Sequence, residues 1–376
     1  MKKTCSLIAV LLIISGFLGI GCHRGEQKVV KIGHIAPLTG DAAIWGEWEK
    51  EGIELAAEEI NAQGGINGRQ IVIIHEDDEG TPQKAVSALN KLIKQNKVKA
   101  IVGATLSSTT LACAPIAEKN KVVLLTPSAQ SPKITYAGDF IFRLFPSSSI
   151  EGKYLANVAR RLKVRRPAVL YINNDYGLGL KEVVIKELQK NEVFFPVVET
   201  YDPMNTNFRS YIEKVRRANA DVLLLLGYPK DMALVLKQMH ELGLKIKTVA
   251  PDAFEAEEII SIAGEAAEGV LYVYPILPNA EYTKKVAKKF KERYGKIMNI
   301  YNGMGYDAVK VLSYVIDNCI RNNRYTGECI KQELYNLKDF PGVTGAITFD
   351  QYGDVVERPF EVRIVSHGGF KKYEFK

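Results

Sequence analysis

After residue 28, short runs of unbroken apolar residues alternate with amphipathic stretches along the chain, and this alternation constrains the fold more than any other feature. "VVKIGHIAPL", "QIVIIHE", "AIVGA", "VVLLTP", "PAVLYIN", "DVLLLLGY" and "GVLYVYPIL" have the character of strands covered on both faces. Between them, "EWEKEGIELAAEEINAQ", "TPQKAVSALNKLIKQN" and "FRSYIEKVRRANA" repeat apolar positions at helical spacing. Strand, helix, strand with short connections specifies parallel βαβ units in doubly wound α/β sheets. There are too many strands for one comfortable sheet, and 376 residues at 47% hydrophobic content suffice for two cores.

Three stretches read as crossings between two such lobes: "FRLFPSSSIEGK" (142–153), "YVYPILPNA" (272–280) and "GVTGAITFD" (342–350). The expected division is a first lobe of residues 28–145 plus 276–344 and a second of 146–275 plus 345–376, joined by a three-segment hinge. No low-complexity linker or short-period repeat interrupts it.

Residues 1–21 read as a secretory signal: Lys2 and Lys3, an apolar run from Leu7 to Gly21 too short for a spanning helix, and a small-residue end. Gly21 before Cys22 resembles the bacterial lipobox, although Gly19 stands where a branched apolar residue is usual. That resemblance implies lipidation at Cys22 and a location in the periplasm or on the outer face of the cell membrane. Removing Lys2 and Lys3 with the signal lowers the formal charge from +7 to +5. The densest basic run, "KKVAKKFKERYGK" (284–296), is the solvated face of an amphipathic helix and gives no reason to expect nucleic acid. In an oxidising compartment Cys319 and Cys329, at a helix end and the next helix start, should pair, leaving Cys113 as core filler.

Ligands of open α/β sheets bind where strand carboxyl ends meet helix N-termini. No G-x-S-x-G, G-x-x-x-x-G-K-[ST], H-E-x-x-H or C-x-x-C occurs. His23, His34, His75, His240 and His367 have no spacing that suggests a triad or a metal pair, and "HEDDE" (75–79) reads as a solvated loop. No catalytic group, metal or cofactor is therefore expected. "GATLSSTT" (103–110) and "LLTPSAQSP" (124–132) instead offer hydroxyls and backbone N–H groups suited to a carboxylate, or simply helix caps.

"IGHIAPLTG", "GIELAAEEINAQGGINGRQI", "DDEGTPQKAV", "LLTPSAQSP", "DYGLGL", "IAGEAAEGV" and "DFPGVTGAITFDQYGD" together resemble the leucine/isoleucine/valine-binding family, the substrate-binding proteins of branched-chain amino acid ABC transporters. The resemblance implies a type I periplasmic-binding fold, a monomer that closes on a small ligand and presents itself to a membrane permease. It places Ser107 and Ser128 on the ligand carboxylate, with Gln130 beside them where leucine-type receptors usually have threonine. Trp45 and Tyr176 would pack on the ligand side chain, and Tyr228 and Asp252 would contact the ammonium, Asp252 replacing a frequent glutamate. A sensor of the same fold, binding an amide, urea or aromatic acid, is the alternative.

The anchor is tested directly. A Cys22→Ser protein should be exported yet move from the detergent phase to the aqueous phase, and unchanged partitioning would remove the lipid anchor.

Overall fold

The computed structural model of the chain describes residues 29–375 apart from positions 192 and 357, so the expected signal segment and the expected lipidation site at Cys22 lie outside the described residues. The chain begins with β1 (Val30–Ala36), α1 (Ala43–Ala62), β2 (Ile71–Asp77), α2 (Pro82–Lys94), β3 (Ala100–Gly103), α3 (Ser107–Asn120), β4 (Val123–Thr126) and β5 (Ile141–Arg143). These strands form an all-parallel sheet in the order β2-β1-β3-β4-β5.

A second α/β layer follows: α4 (Ser148–Arg161), β6 (Pro167–Ile172), α5 (Asp175–Gln189), β7 (Val197–Tyr201), α6 (Arg209–Arg217), β8 (Val222–Leu226), α7 (Pro229–Glu241), β9 (Lys247–Ala250), α8 (Glu257–Ala263) and β10 (Leu271–Pro275). The chain then returns with α9 (Glu281–Tyr294), α10 (Ile300–Arg321), α11 (Gly327–Asn336) and the hairpin of β11 (Phe340–Gly342) and β12 (Gly345–Ile347). It ends on β13 (Phe360–Ser366) and β14 (Gly369–Lys372). The second sheet has the order β14-β13-β10-β9-β8-β6-β7. Its last two strands are antiparallel, an edge that the expectation of wholly parallel sheets did not contain. His367 and Gly368, both at positive φ, form a two-residue turn that folds β14 straight back on β13.

Local chemistry sets the helices. Pro82 opens α2, where a missing N–H costs nothing, and Ala85, Ala88, Leu89 and Leu92 bury one stripe of it. α10 starts with a capping box in which the Asn299 and Asn302 side chains each accept the other's backbone N–H at 2.9 Å. Glycines let α1 and α10 meet backbone to backbone. A Cβ on Gly52 would lie 1.9 Å from the Asn302 carbonyl oxygen, and one on Gly305 would lie 2.3 Å from that of Glu49.

Cys319 and Cys329 form a disulfide with Cα atoms 5.9 Å apart, between the end of α10 and the start of α11. Cys113 is buried, and burial pushes its thiol up to about 12, so it stays a protonated core group. No helix among the described residues is long and apolar enough to cross a membrane.

Residues 353–355, beyond the expected boundary at residue 345, pair with the end of β5. The N–H of Arg143 donates to the Gly353 carbonyl at 2.9 Å and its carbonyl accepts from Val355 N–H at 3.0 Å, which keeps residues 353–355 on the first sheet. The fully buried Arg143 guanidinium also grips Asp354 at 2.9 and 2.6 Å and donates to the Ser131 carbonyl at 2.9 Å. Arg143→Met should therefore lower unfolding free energy by about 3–5 kcal/mol, because it strands Asp354 and the Ser131 carbonyl. Denaturant unfolding measures this, and a loss under about 1 kcal/mol would show the clamp to be dispensable.

Candidate functional site

Every strand that feeds the space between the sheets does so at its carboxyl end. β3 runs into Thr105, Leu106 and Ser107, and β4 into Ser128 and Gln130. β6 leads to Tyr176 in the first turn of α5, β8 to Tyr228 before α7, and β9 to Asp252. Trp45, Ser107, Ser128, Gln130, Tyr176 and Tyr228 line one cavity of about 30 Å³, joined by Thr105 and Tyr301. Leu106 and Tyr228 also form part of a larger cleft of about 690 Å³.

Asp252 departs from its expected place on the cavity wall. It is fully buried one bond behind that wall, where Gln130 Nε2 reaches its two oxygens at 3.1 and 3.3 Å and the Tyr301 hydroxyl donates at 2.6 Å. Gln130 therefore links the two halves of the cleft from side to side. Trp45 meets Tyr228 edge-on at 4.5 Å, and Tyr176 stacks on Tyr228 at 5.8 Å, giving the cavity an aromatic side. Asn174 holds the Tyr228 hydroxyl at 3.1 Å, whereas the buried Tyr176 hydroxyl has no partner among the described residues.

The serines divide their work. Ser107 Oγ accepts the backbone N–H groups of Gln130 and Ser131 at 3.2 and 3.1 Å, leaving its own proton free to donate. It thus sits at the N-terminus of α3 with no base beside it among these bonds. Ser128 and Thr105 instead donate to the buried carboxylate of Glu49 on α1, Thr105 at 2.7 Å. Burial raises Glu49 to about 7, against the pull of those two hydroxyls. Across the cleft Glu151, at the start of α4, accepts Asp252 N–H at 2.8 Å. Burial first, then the neighbouring Asp252 carboxylate, holds Glu151 well above the ordinary carboxylate range.

Sequence reasoning missed Glu49, Thr105, Glu151 and Tyr301. Glu49 sits in a stretch that reads as ordinary amphipathic helix and Glu151 in one that reads as a crossing between lobes, and nothing in their spacing marks them as buried. "HEDDE" is also more structured than a solvated loop. Asp77 accepts from the N–H and hydroxyl of Thr39, Asp78 is buried, and His75 pairs with His34 in register across β2 and β1, Nδ1 to Nδ1 at 2.8 Å. No group of three or more His, Cys, Asp or Glu side chains among the described residues could hold a metal.

A family model described as periplasmic binding protein matches residues 29–369. The leucine-, isoleucine-, valine-, threonine-, and alanine-binding protein of Pseudomonas aeruginosa is 29% identical over 368 residues, 96% of this chain and 96% of its own. Among solved structures, a leucine-binding protein from Thermotoga maritima is 30% identical, covers 92% of this chain and 98% of its own, and superposes with a TM-score of 0.85. The branched-chain amino acid transporter substrate-binding protein of Streptococcus pneumoniae, in complex with isoleucine, is 26% identical over 91% of this chain and 98% of its own, with a TM-score of 0.83. A benzoate complex of a solute-binding protein from R. palustris, 19% identical over 92% of this chain and 95% of its own at a TM-score of 0.82, shares the fold.

The raised Glu151 has a thermodynamic consequence. A carboxyl whose folded-state value is raised adds stability that is complete below its ordinary value of 4.5 and is lost as pH climbs through the folded value. Melting temperature should therefore fall as pH rises above the ordinary carboxyl value of 4.5, and Glu151→Gln, which cannot titrate, should make that fall shallower. An unchanged slope in the variant would assign the loss to other groups, Glu49 first.

Proposed function

Since the chain belongs to the periplasmic binding protein family, we propose that it is the extracytoplasmic substrate-binding component of an ABC importer and captures a branched-chain or other hydrophobic amino acid between its lobes. The observation that carries this reading is the buried Asp252 carboxylate, whose hydrogen-bond partners Gln130 and Tyr301 are both neutral. Among the described residues, no lysine or arginine lines the adjoining cavity. A site with a buried anion and neutral walls complements an ammonium. Opposite it, the N-terminus of α3 and the free Ser107 proton complement a carboxylate. Trp45, Tyr176 and Tyr228 offer an apolar side chain its contact surface.

In this reading the ligand ammonium displaces the Gln130 amide from Asp252, and Ser107 is a hydrogen-bonding shelf rather than a nucleophile. Ser128 acts with it on the carboxylate. The names of the Pseudomonas, Thermotoga and Streptococcus relatives support an amino-acid ligand. Lipid anchoring at Cys22, a monomeric state and delivery to a membrane permease complete the proposal, with two lobes turning about the three connecting segments to open and close.

Asp252 is the residue on which the ligand class turns. Truncating one partner of a buried charge pair costs about 2–5 kcal/mol, so Asp252→Ala should weaken leucine by about 30-fold or more in calorimetry. Asp252→Asn should recover part of the hydrogen bonding and little of the affinity. Equal binding of the true ligand by wild type and Asp252→Ala would leave the fold standing and replace the amino acid with a ligand that has no ammonium, such as an aromatic acid.

A further inference from the structure

Ser128 and Thr105 line the cavity with hydroxyls that can each give one proton, and both protons point away from it. They go to Glu49, which lies fully buried beneath the cleft floor. Ser128 Oγ has a second acceptor in the Thr105 carbonyl at 3.0 Å. While Glu49 is ionised, the hydroxyls can show a ligand carboxylate nothing but lone pairs, with a negative charge directly behind them. A protonated Glu49 reverses this. It has one proton to give and can donate it to one hydroxyl, which frees that hydroxyl to turn its own proton toward the cleft.

We propose that Glu49 is a proton-linked positioning residue: by taking up one proton it converts one hydroxyl of the Ser128 and Thr105 pair from an acceptor into a donor toward the cleft, so capture of a carboxylate there draws a proton from solution. The proposal rests on the reading that the ligand carries a carboxylate held on the Ser107 and Ser128 side.

The surroundings of Glu49 favour this exchange. From β1, His34 places its buried and unpartnered Nε2 4.0 Å from Glu49 Oε2. His75 stands behind it on β2, with its own Nε2 3.8 Å from Glu54. Burial pushes both imidazoles down to about 3, with Lys50 acting on each in the same direction, so neither supplies a cation to hold Glu49 ionised. The turn after β2 contributes Asp78, buried and likewise raised to about 7 by burial, with the Glu49 charge adding to the rise. α3 brings the uncharged Thr109 against Asp78, and α10 meets α1 here through Gly305. Glu54, His75, His34 and Glu49 form a row of titratable groups from the surface to the cleft floor, a route by which a proton can arrive.

The test is calorimetry on the full chain at pH 8 in buffers of differing ionisation enthalpy, with leucine and, as a carboxylate without an ammonium, benzoate. Binding should take up close to one proton, and the dissociation constant should rise up to about tenfold per pH unit above pH 7, because the bound state holds the proton more tightly than the free state. An ammonium near Asp252 would also drive a proton off Glu151, so leucine is measured in the Glu151→Gln protein as well, where that release is gone. Glu49→Gln, which imitates the protonated acid, should bind with no proton uptake and a flat pH profile. If that variant fails to fold, the wild-type and Glu151→Gln uptake still decides. Binding of benzoate by the wild type, or of leucine by the Glu151→Gln protein, without uptake and with a flat profile overturns the proposal. Uptake on benzoate with no heat from leucine supports it and overturns the amino-acid reading; silence from both ligands overturns both.

Discussion

The cleft depends on how closely α1 and α10 approach. Gly52 and Gly305 remove the side chains that would hold these helices apart, and the carbonyl oxygens of Asn302 and Glu49 lie where those side chains would be. A helix pair usually separates by the width of its side chains. Here the missing width brings Trp45 and Glu49 of one helix and Tyr301 of the other to the strand ends. Tyr301 thereby reaches Asp252 of the opposite half, and Glu49 reaches Ser128 and Thr105. An alanine at either glycine would force backbone from backbone, and the polar groups of the cleft would lose their spacing together.

The electrostatics of the cleft follow from burial more than from ion pairing. Surface pairs that join the halves, Lys230 with Asp41 at 2.8 Å and Lys133 with Asp175 at 2.9 Å, are exposed and screened by salt. The bonds between Gln130, Tyr301 and Asp252 are sealed from water, so their geometry decides how tightly the halves meet. Each is also a bond that a competing donor can replace. The same contacts can therefore hold the halves together and yield to a ligand.

Local signals in the sequence carry the strands, the helices between them and the polar turns at the strand ends, because alternation and turn chemistry are short-range properties. "GATLSSTT" and "LLTPSAQSP" could be recognised as cleft loops without knowing what faced them. What stayed hidden is long-range. Glu49 reads as a surface acid on an amphipathic helix until α10 and the ends of β3 and β4 close over it. Arg143 and Asp354 meet across 211 residues of chain, so the anchoring of residues 353–355 left no local trace. His34 and His75 become a pair through the register of β1 and β2. The resemblance to a known family supplied the expected roles of Trp45, Tyr228 and Asp252, which their neighbours in sequence could not.

The bonding of residues 353–355 to the first sheet bears on how the connecting segments run. Residues 353–355 leave the first sheet bonded to Arg143, beside the place where the chain first departs toward α4. A few residues on, the Pro359 carbonyl accepts the N–H of Ile276, which opens the second connection. The three links thus run as neighbours in one narrow ribbon instead of as separate tethers. In the proposed opening and closing of the lobes, the distance across the cleft mouth from Asp41 to Lys230, 2.8 Å between their charged groups here, is the coordinate that follows the motion.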